Sequence, residues 1–107
     1  MRQTPTGKRN KYVTIEQPVA PASRFATGGT WAKVADAWAS IEPLAGRELW
    51  NAQQVQSLVT HRIRMLYRAG ITSAMRVKWG SRHFNIASVI NPEEANVELE
   101  LMATEVV

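Results

Sequence analysis

The chain has 107 residues, with 13 Lys or Arg, nine Asp or Glu and no Cys. A chain of this length forms one small domain with a modest core, which excludes a two-domain enzyme with a cleft between lobes. The absence of Cys excludes a disulfide framework, a Cys-ligated zinc site and a thiol nucleophile, and it is typical of a reducing cytosol. No apolar run approaches the roughly 18 residues of a membrane span, and the start of the chain does not resemble a signal peptide.

The charges are divided unevenly along the chain. Residues 1–82 carry all 13 bases and four acids, for a net charge of +9, whereas residues 83–107 carry five acids and no base, for −5. A basic body with an acidic end favours contact with a polyanion, self-association, or both. The alternative is that the two signs meet within one sheet.

The start of the chain predicts a basic arm, a strand and a long loop. Residues 1–11 are polar and basic and contain no acid. The β-branched and aromatic residues of 12–17 predict a strand that stops at a proline. Residues 17–30 contain two prolines and two glycines and form a loop of the length that is usually mobile or functional.

The next segment, residues 31–42, admits two interpretations. Its Ala content fits a helix, but the large residues are Trp, Val and Ile and a proline follows, so we favour a strand. In that strand Val34 and Trp38 fall on one parity and Ile41 on the other.

Residues 43–58 have few apolar anchors. Leu44, Leu49, Val55 and Leu58 form only a weak helical stripe. The segment predicts a short helix or a loosely anchored loop, because so few anchors leave it only marginally ordered.

Two later segments predict strands with charged outer faces. Residues 59–68 alternate between an apolar face, which belongs to a core, and a basic face. Residues 97–103 alternate between an apolar and an acidic face, and the chain is expected to fray beyond them. The outward-facing charged residues that these patterns single out are Arg62, Arg64, Arg68, Glu98 and Glu100.

Residues 75–90 carry the clearest local signal. Gly80 and Ser81 lie between two alternating runs, and glycine in the first turn position suits a type II′ hairpin. This turn sets Val77 opposite Phe84 and gathers the large apolar side chains on one face. Together the segments predict a single, mainly β domain over residues 1–107: a small β-barrel of about six antiparallel strands with one short helix or mobile loop.

Residues that could carry chemistry are few. The histidines are His61 and His83, the one aspartate is Asp36, and no spacing among them is typical of a metal site. No nucleophile motif and no phosphate-binding loop is present. We therefore expect no catalytic residue, no metal and no cofactor, and a protein that is not an enzyme.

A set of short segments follows one another in a characteristic order and spacing. They are Trp38-Ala39-Ser40-Ile41-Glu42-Pro43-Leu44, Gly46-Arg47-Glu48, Thr60-His61-Arg62-Ile63-Arg64, Tyr67-Arg68-Ala69-Gly70-Ile71-Thr72, Met75-Arg76-Val77, Phe84-Asn85-Ile86, Val89-Ile90-Asn91-Pro92 and Glu98-Leu99-Glu100-Leu101. Taken together they resemble the head–tail joining proteins of long-tailed bacteriophages, also called head–tail adaptors or head-completion and stopper proteins.

The resemblance implies a function that the residues alone do not. It implies a β-barrel that binds beneath the portal, or a portal-proximal adaptor, after DNA packaging and forms a twelve-fold or six-fold ring. The ring retains packaged double-stranded DNA without reading its sequence and offers the docking surface for tail-terminating or tail proteins. The protein is then made in the host bacterial cytoplasm and resides in the virion, without membrane contact.

The resemblance also implies a channel-closing loop at residues 43–58. Its candidate residues are Leu44, Gly46, Arg47, Glu48 and Gln53.

Candidate contacts to DNA phosphates are Lys8, Arg9, Lys11 and Arg47.

A head-to-tail ring needs two different, complementary faces on each subunit. The basic face of residues 59–68 and the acidic face of residues 97–103 are candidates, with Arg62, Arg64 or Arg68 of one subunit meeting Glu98 or Glu100 of the next. The alternative is that these charges pair across strands of one chain. The alternative function is a stand-alone basic β-barrel that binds nucleic acid.

Overall fold

The computed structural model describes residues 9–19 and 30–106. The strands of this part are β1 (Lys11–Val19), β2 (Thr30–Pro43), β3 (His61–Leu66), β4 (Arg76–Trp79), β5 (Arg82–Ile90) and β6 (Glu98–Val106). Helix α1 covers Gly46–Val55, and a short 3-10 turn covers Pro92–Glu94. Residues 1–8 and 20–29, which make up most of the predicted arm and loop, lie outside the described residues.

The strands close into one antiparallel barrel in the order β1-β2-β3-β6-β5-β4. This confirms the predicted fold class. The segment with two interpretations is the strand β2, which pairs with β1 along its length and with β3 at its C-terminal end. The helical propensity of its alanines is overridden because small inward side chains are needed where strands curve around a narrow barrel.

The hairpin β4–β5 has the predicted register. Val77 lies opposite Phe84, and the pairing continues to Trp79 opposite Arg82 at the turn. Gly80 has φ +62, and the φ of Ser81 is not positive. This combination is that of a type II′ turn, whose first central residue requires the left-handed region.

One apolar core fills the barrel. Phe84, Ile15, Ile63, Met65 and Leu101 are among its fully buried side chains. They come from β1, β3, β5 and β6, and Ala39 of β2 and Val77 of β4 belong to the same cluster. Burial of one such side chain stabilises the fold by roughly 1.5–3 kcal/mol, which makes this cluster the main source of stability.

A bulge in β2 changes which side chains face out. Ile15 pairs with Ala35 and Glu16 pairs with Lys33, so Val34 is an extra residue on β2. An extra residue reverses the alternation beyond it. As a result Val34 packs against the core, whereas Trp38 is 58% exposed although both share one parity in the sequence.

Candidate assembly surfaces

The basic face of β3 and the acidic face of β6 meet within one chain. The two strands are neighbours, and Arg64 lies opposite Glu100. Arg62 Nε lies 2.8 Å from Glu100 Oε1, and Arg64 Nη2 lies 3.7 Å from the same oxygen. The alternative of pairing across strands is therefore realised for these residues. A contact between subunits through the same side chains stays a prediction.

Arg62 and Glu98 do not have the exposure that the alternation predicts. Arg62 is 9% exposed and Glu98 is 4% exposed. Glu98 is covered by Arg9, whose Nη1 lies 3.4 Å from Glu98 Oε2. The expectation of an open charged face is thus wrong at both positions: Arg9 covers Glu98, and Arg62 pairs with Glu48 and Glu100. Arg68, by contrast, is exposed as predicted.

The candidate DNA-contacting residues lie in different environments. Arg9 is buried against Glu98, so its guanidinium faces a carboxylate rather than solvent. Lys11 Nζ donates to Asn10 Oδ1 at 3.0 Å and lies 5.4 Å from the ring centroid of Trp79. Arg47 is exposed on α1, and Lys8 lies outside the described residues. Phosphate contact by this set stays a prediction.

The segment predicted to be loosely anchored contains α1, and no residue of this helix is buried. Leu44 is buried just before it, and Leu44 N donates to Thr60 O at 2.9 Å. From the helix itself, the Glu48 carboxylate pairs with Arg62, and Gln53 Nε2 donates to Val59 O at 3.0 Å. Polar contacts therefore hold α1 to the barrel.

The junction between β2 and α1 is a sharp turn. Gly46, the first residue of the helix, has φ +57 and no atom within 4 Å of where a Cβ would lie. Glycine adopts this left-handed conformation without strain. The chain can therefore leave the barrel abruptly and start a helix that stands outside the core.

An aromatic surface on β1, β2 and β3 is absent from the sequence-based candidates. Tyr12 lies opposite Trp38, with ring centroids 5.0 Å apart in an edge-to-face arrangement. Leu66, at the end of β3, is 50% exposed beside them, and a groove of about 450 Å³ runs between Trp38 and Tyr67. Only the bulge at Val34 brings Trp38 to this surface, so simple alternation could not have found it.

The described residues carry little that could support chemistry. Within 9–19 and 30–106, no group of three or more His, Cys, Asp or Glu is arranged to hold a metal ion. His61 Nε2 lies 4.0 Å from Glu105 Oε1, and burial lowers the pKa of His61 below its ordinary value. Arg82 donates two hydrogen bonds to Glu105, which is the main reason that the pKa of Glu105 is lowered.

No helix in the described part of the chain is long and apolar enough to cross a membrane.

Comparisons with known proteins agree with the barrel fold. Residues 4–106 match the phage head completion protein family, and the chain belongs to this family. The resemblance stated from the sequence is thereby confirmed. Membership makes the chain a structural protein of the phage head and a component of the virion.

Two solved structures share the fold. The solution structure of a protein from Shigella flexneri 2a has a TM-score of 0.71 at 24% identity, covering 95% of this chain and 96% of that one. A chain in the virion of a native gene transfer agent particle has a TM-score of 0.61 at 21% identity, covering 92% and 96%. At these identities the likeness establishes the architecture. No curated protein matches the chain.

Proposed function

We propose that this protein completes the DNA-filled phage head by forming a ring beneath the portal or a portal-proximal adaptor. The ring retains the packaged double-stranded DNA and offers the surface on which tail-terminating or tail proteins dock. The observation that carries this proposal is α1, a helix without buried residues that a closed barrel holds at its side by polar contacts. Such an element can change position without disturbing the core.

The segment 43–58 is the part that closes the channel. A ten-residue helix is roughly 15 Å long, enough to extend well beyond the barrel wall. Releasing it breaks the contact of Glu48 with Arg62 but leaves Arg62 paired with Glu100. The buried guanidinium keeps a partner, so the movement has a low free-energy cost. Arg47 then faces the channel, where it meets phosphates without reading bases.

The charge pattern supports a structural role over a stand-alone nucleic-acid-binding barrel. Many basic residues of the barrel already lie within 4.0 Å of a carboxylate: Lys33, Arg62, Arg64, Arg76 and Arg82. Each neutralised base is lost as a phosphate contact, and affinity for DNA scales with the number of such contacts. A single subunit is therefore expected to bind free DNA weakly, whereas a ring adds the contacts of all its copies.

The proposal is tested with heads that are packaged with DNA but lack this protein. Purified wild-type chain is added, and nuclease protection of the DNA and attachment of tails are measured separately. We expect both with the wild-type chain. Heads that neither retain DNA nor accept tails in the presence of folded protein would overturn the proposal, and a salt-dependent DNA titration would then test the nucleic-acid-binding alternative.

A variant separates channel closure from tail docking. Residues 46–55 are replaced by a Gly/Ser segment of equal length, which leaves the core intact because α1 buries no side chain. Asn51→Ser with Gln54→Ser, two exposed substitutions that keep the helix, is the matched control. We expect the replaced segment to allow tail attachment but to leave DNA open to nuclease. Full protection by this variant would contradict the closing role of α1.

A further inference from the structure

Two unlike surfaces stand out among the described residues of the barrel. The first, here called the aromatic patch, consists of Tyr12, Trp38, Leu66 and Tyr67. These side chains are 54%, 58%, 50% and 39% exposed, respectively. Tyr and Trp in such numbers on one small surface are typical of binding hot spots, because they bury a large area at a small entropic cost.

The second surface, here called the β5 groove, is concave. It has a volume of about 300 Å³ and lies between the end of the α1 segment and strands β5 and β6. Its lining includes Leu58, which is 73% exposed, together with Asn85, Ala87 and Thr104. Thr104 Oγ1 donates to Leu58 O at 2.8 Å, which holds the segment that ends at Leu58 against β6. The small side chain of Ala87 leaves room on β5 for a large one from a partner.

The two surfaces lie on opposite flanks of the barrel. The aromatic patch is centred on β2, and the groove lies along β5. In the closed order β1-β2-β3-β6-β5-β4, two strands separate β2 from β5 in either direction. One copy therefore cannot cover its own patch with its own groove, whereas two copies placed side by side bring a patch against a groove.

We propose that the aromatic patch of one copy docks into the β5 groove of the next copy, so that this contact, repeated head to tail, joins the subunits of the ring. The inference rests on the proposed function, since it names the surfaces by which that ring closes. Unlike faces on opposite flanks generate a heterologous contact, which closes into a ring when the rotation between copies divides a full turn evenly and involves no rise along the axis. Trp38 is the anchor, because it is the most exposed large side chain of the patch.

The patch is large enough to form the centre of a contact between two copies. With about 150–250 Å² for each large side chain, the exposed fractions amount to roughly 400 Å². A specific interface buries about 800 Å² on each partner, of which the centre is apolar and the rim polar. The patch thus supplies the apolar centre, and Arg68 and Asp36, which border the same groove of about 450 Å³, supply part of the rim.

The absence of Cys from the chain allows a direct cross-linking test. Arg68→Cys places a thiol at the edge of the patch, and Asn85→Cys places one in the β5 groove; both positions are exposed. The single and double variants are bound to heads that lack the protein and treated with a short bis-maleimide. Ser81→Cys, an exposed position in the turn between β4 and β5, is the control thiol.

We expect the double variant to give a ladder of covalent oligomers and each single variant to stay monomeric. Dimers of Arg68→Cys alone would show that two patches face each other, which overturns the head-to-tail contact. If heads completed with the double variant retain DNA and accept tails but give no ladder, these flanks do not form the interface, while the proposed function stands. If the wild-type chain supports neither DNA retention nor tail attachment, the proposed interface and the proposed function are both wrong.

A second variant tests the anchor itself. Trp38→Ser is expected to reduce binding to heads about tenfold or more, with little change in the thermal unfolding midpoint because the side chain is exposed. Trp31→Ser removes a tryptophan, 38% exposed, from β2 outside both surfaces and is expected to bind heads like the wild-type chain. Equal head binding by Trp38→Ser and the wild-type chain would overturn the proposal.

Discussion

Arg62 and Glu100 form an ion pair between the adjacent strands β3 and β6, with Arg62 Nε 2.8 Å from Glu100 Oε1. The side chain of Arg62 is 10% exposed and that of Glu100 is 23% exposed. The strongly basic body and the acidic end of the chain thus meet here inside one subunit. Glu100 is the less exposed of the two carboxylates that pair with the nearly buried guanidinium of Arg62, which makes this pair a determinant of monomer stability.

Glu100→Gln is therefore expected to lower the free energy of unfolding by about 1–3 kcal/mol, since it leaves a largely buried charge poorly compensated. Urea titration of the isolated chain measures the effect. Glu48→Gln is the control: Glu48 contacts the same arginine but is 59% exposed, so a change below about 0.5 kcal/mol is expected. Unchanged stability of Glu100→Gln together with failed ring assembly would instead assign this carboxylate to the subunit interface.

Arg9→Ala is expected to destabilise the fold by about 3 kcal/mol, because the Glu98 carboxylate loses an ion pair at a site where both side chains are 5% exposed. The same variant is expected to bind DNA like the wild-type chain. Lys11→Ala, which removes a more accessible charge near Trp79, is the control and should cost less than about 1 kcal/mol. A loss of DNA affinity in Arg9→Ala without loss of stability would support the phosphate contact instead.

Gly80→Ala is expected to cost about 1–2 kcal/mol, since its φ of +62 lies in the left-handed region that a Cβ disfavours. No atom lies within 4 Å of the added methyl group, so the cost is one of backbone strain alone. Thermal unfolding of this variant is compared with that of Ser81→Ala, the neighbouring turn residue. Equal midpoints for the two variants would show that the turn is not the type II′ that the structure contains.

The stability of the fold is expected to depend on His61 below pH 6.5. Burial is the main cause that lowers the pKa of His61 in the folded chain, while Glu105 opposes it and Arg82 adds to it. The unfolded chain then binds the proton more readily, so the free energy of unfolding decreases as pH falls through 6.5 and levels off below the folded-state pKa. His61→Gln should reduce this dependence, whereas His83→Gln should retain it. Urea unfolding midpoints measured at pH values above and below 6.5 test this prediction. Identical pH profiles for the wild-type chain and His61→Gln would contradict the role of His61.

Local sequence patterns predicted those parts of the fold that depend on turn residues and on the alternation of apolar side chains. The hairpin around Gly80 followed from a turn residue and two alternating runs that agree on one register. The scarcity of apolar side chains predicted a loosely anchored segment at residues 43–58, and in the structure α1 has no buried residue, whereas Leu44 before it is buried. These features depend on neighbours in sequence.

Features that depend on distant parts of the chain could not be predicted from the sequence. The pairing of Arg62 with Glu100 was one of two open alternatives, because which strands are neighbours depends on closure of the barrel. The contact by which Arg9 covers Glu98 is formed between residues 89 positions apart in the sequence. Trp38 reaches the surface through a bulge, and a bulge leaves no mark in simple alternation.

The most direct test of the central claim is a cryo-electron-microscopy reconstruction of the portal vertex in heads completed with this protein. We expect a ring of β-barrels between the portal or its adaptor and the tail, with residues 43–58 extending toward the channel axis. Because the chain measures 48 by 27 by 26 Å along its principal axes, individual subunits can be placed in such density. A vertex without added barrels in heads that nevertheless retain DNA, or barrels distributed over the capsid shell, would contradict the account.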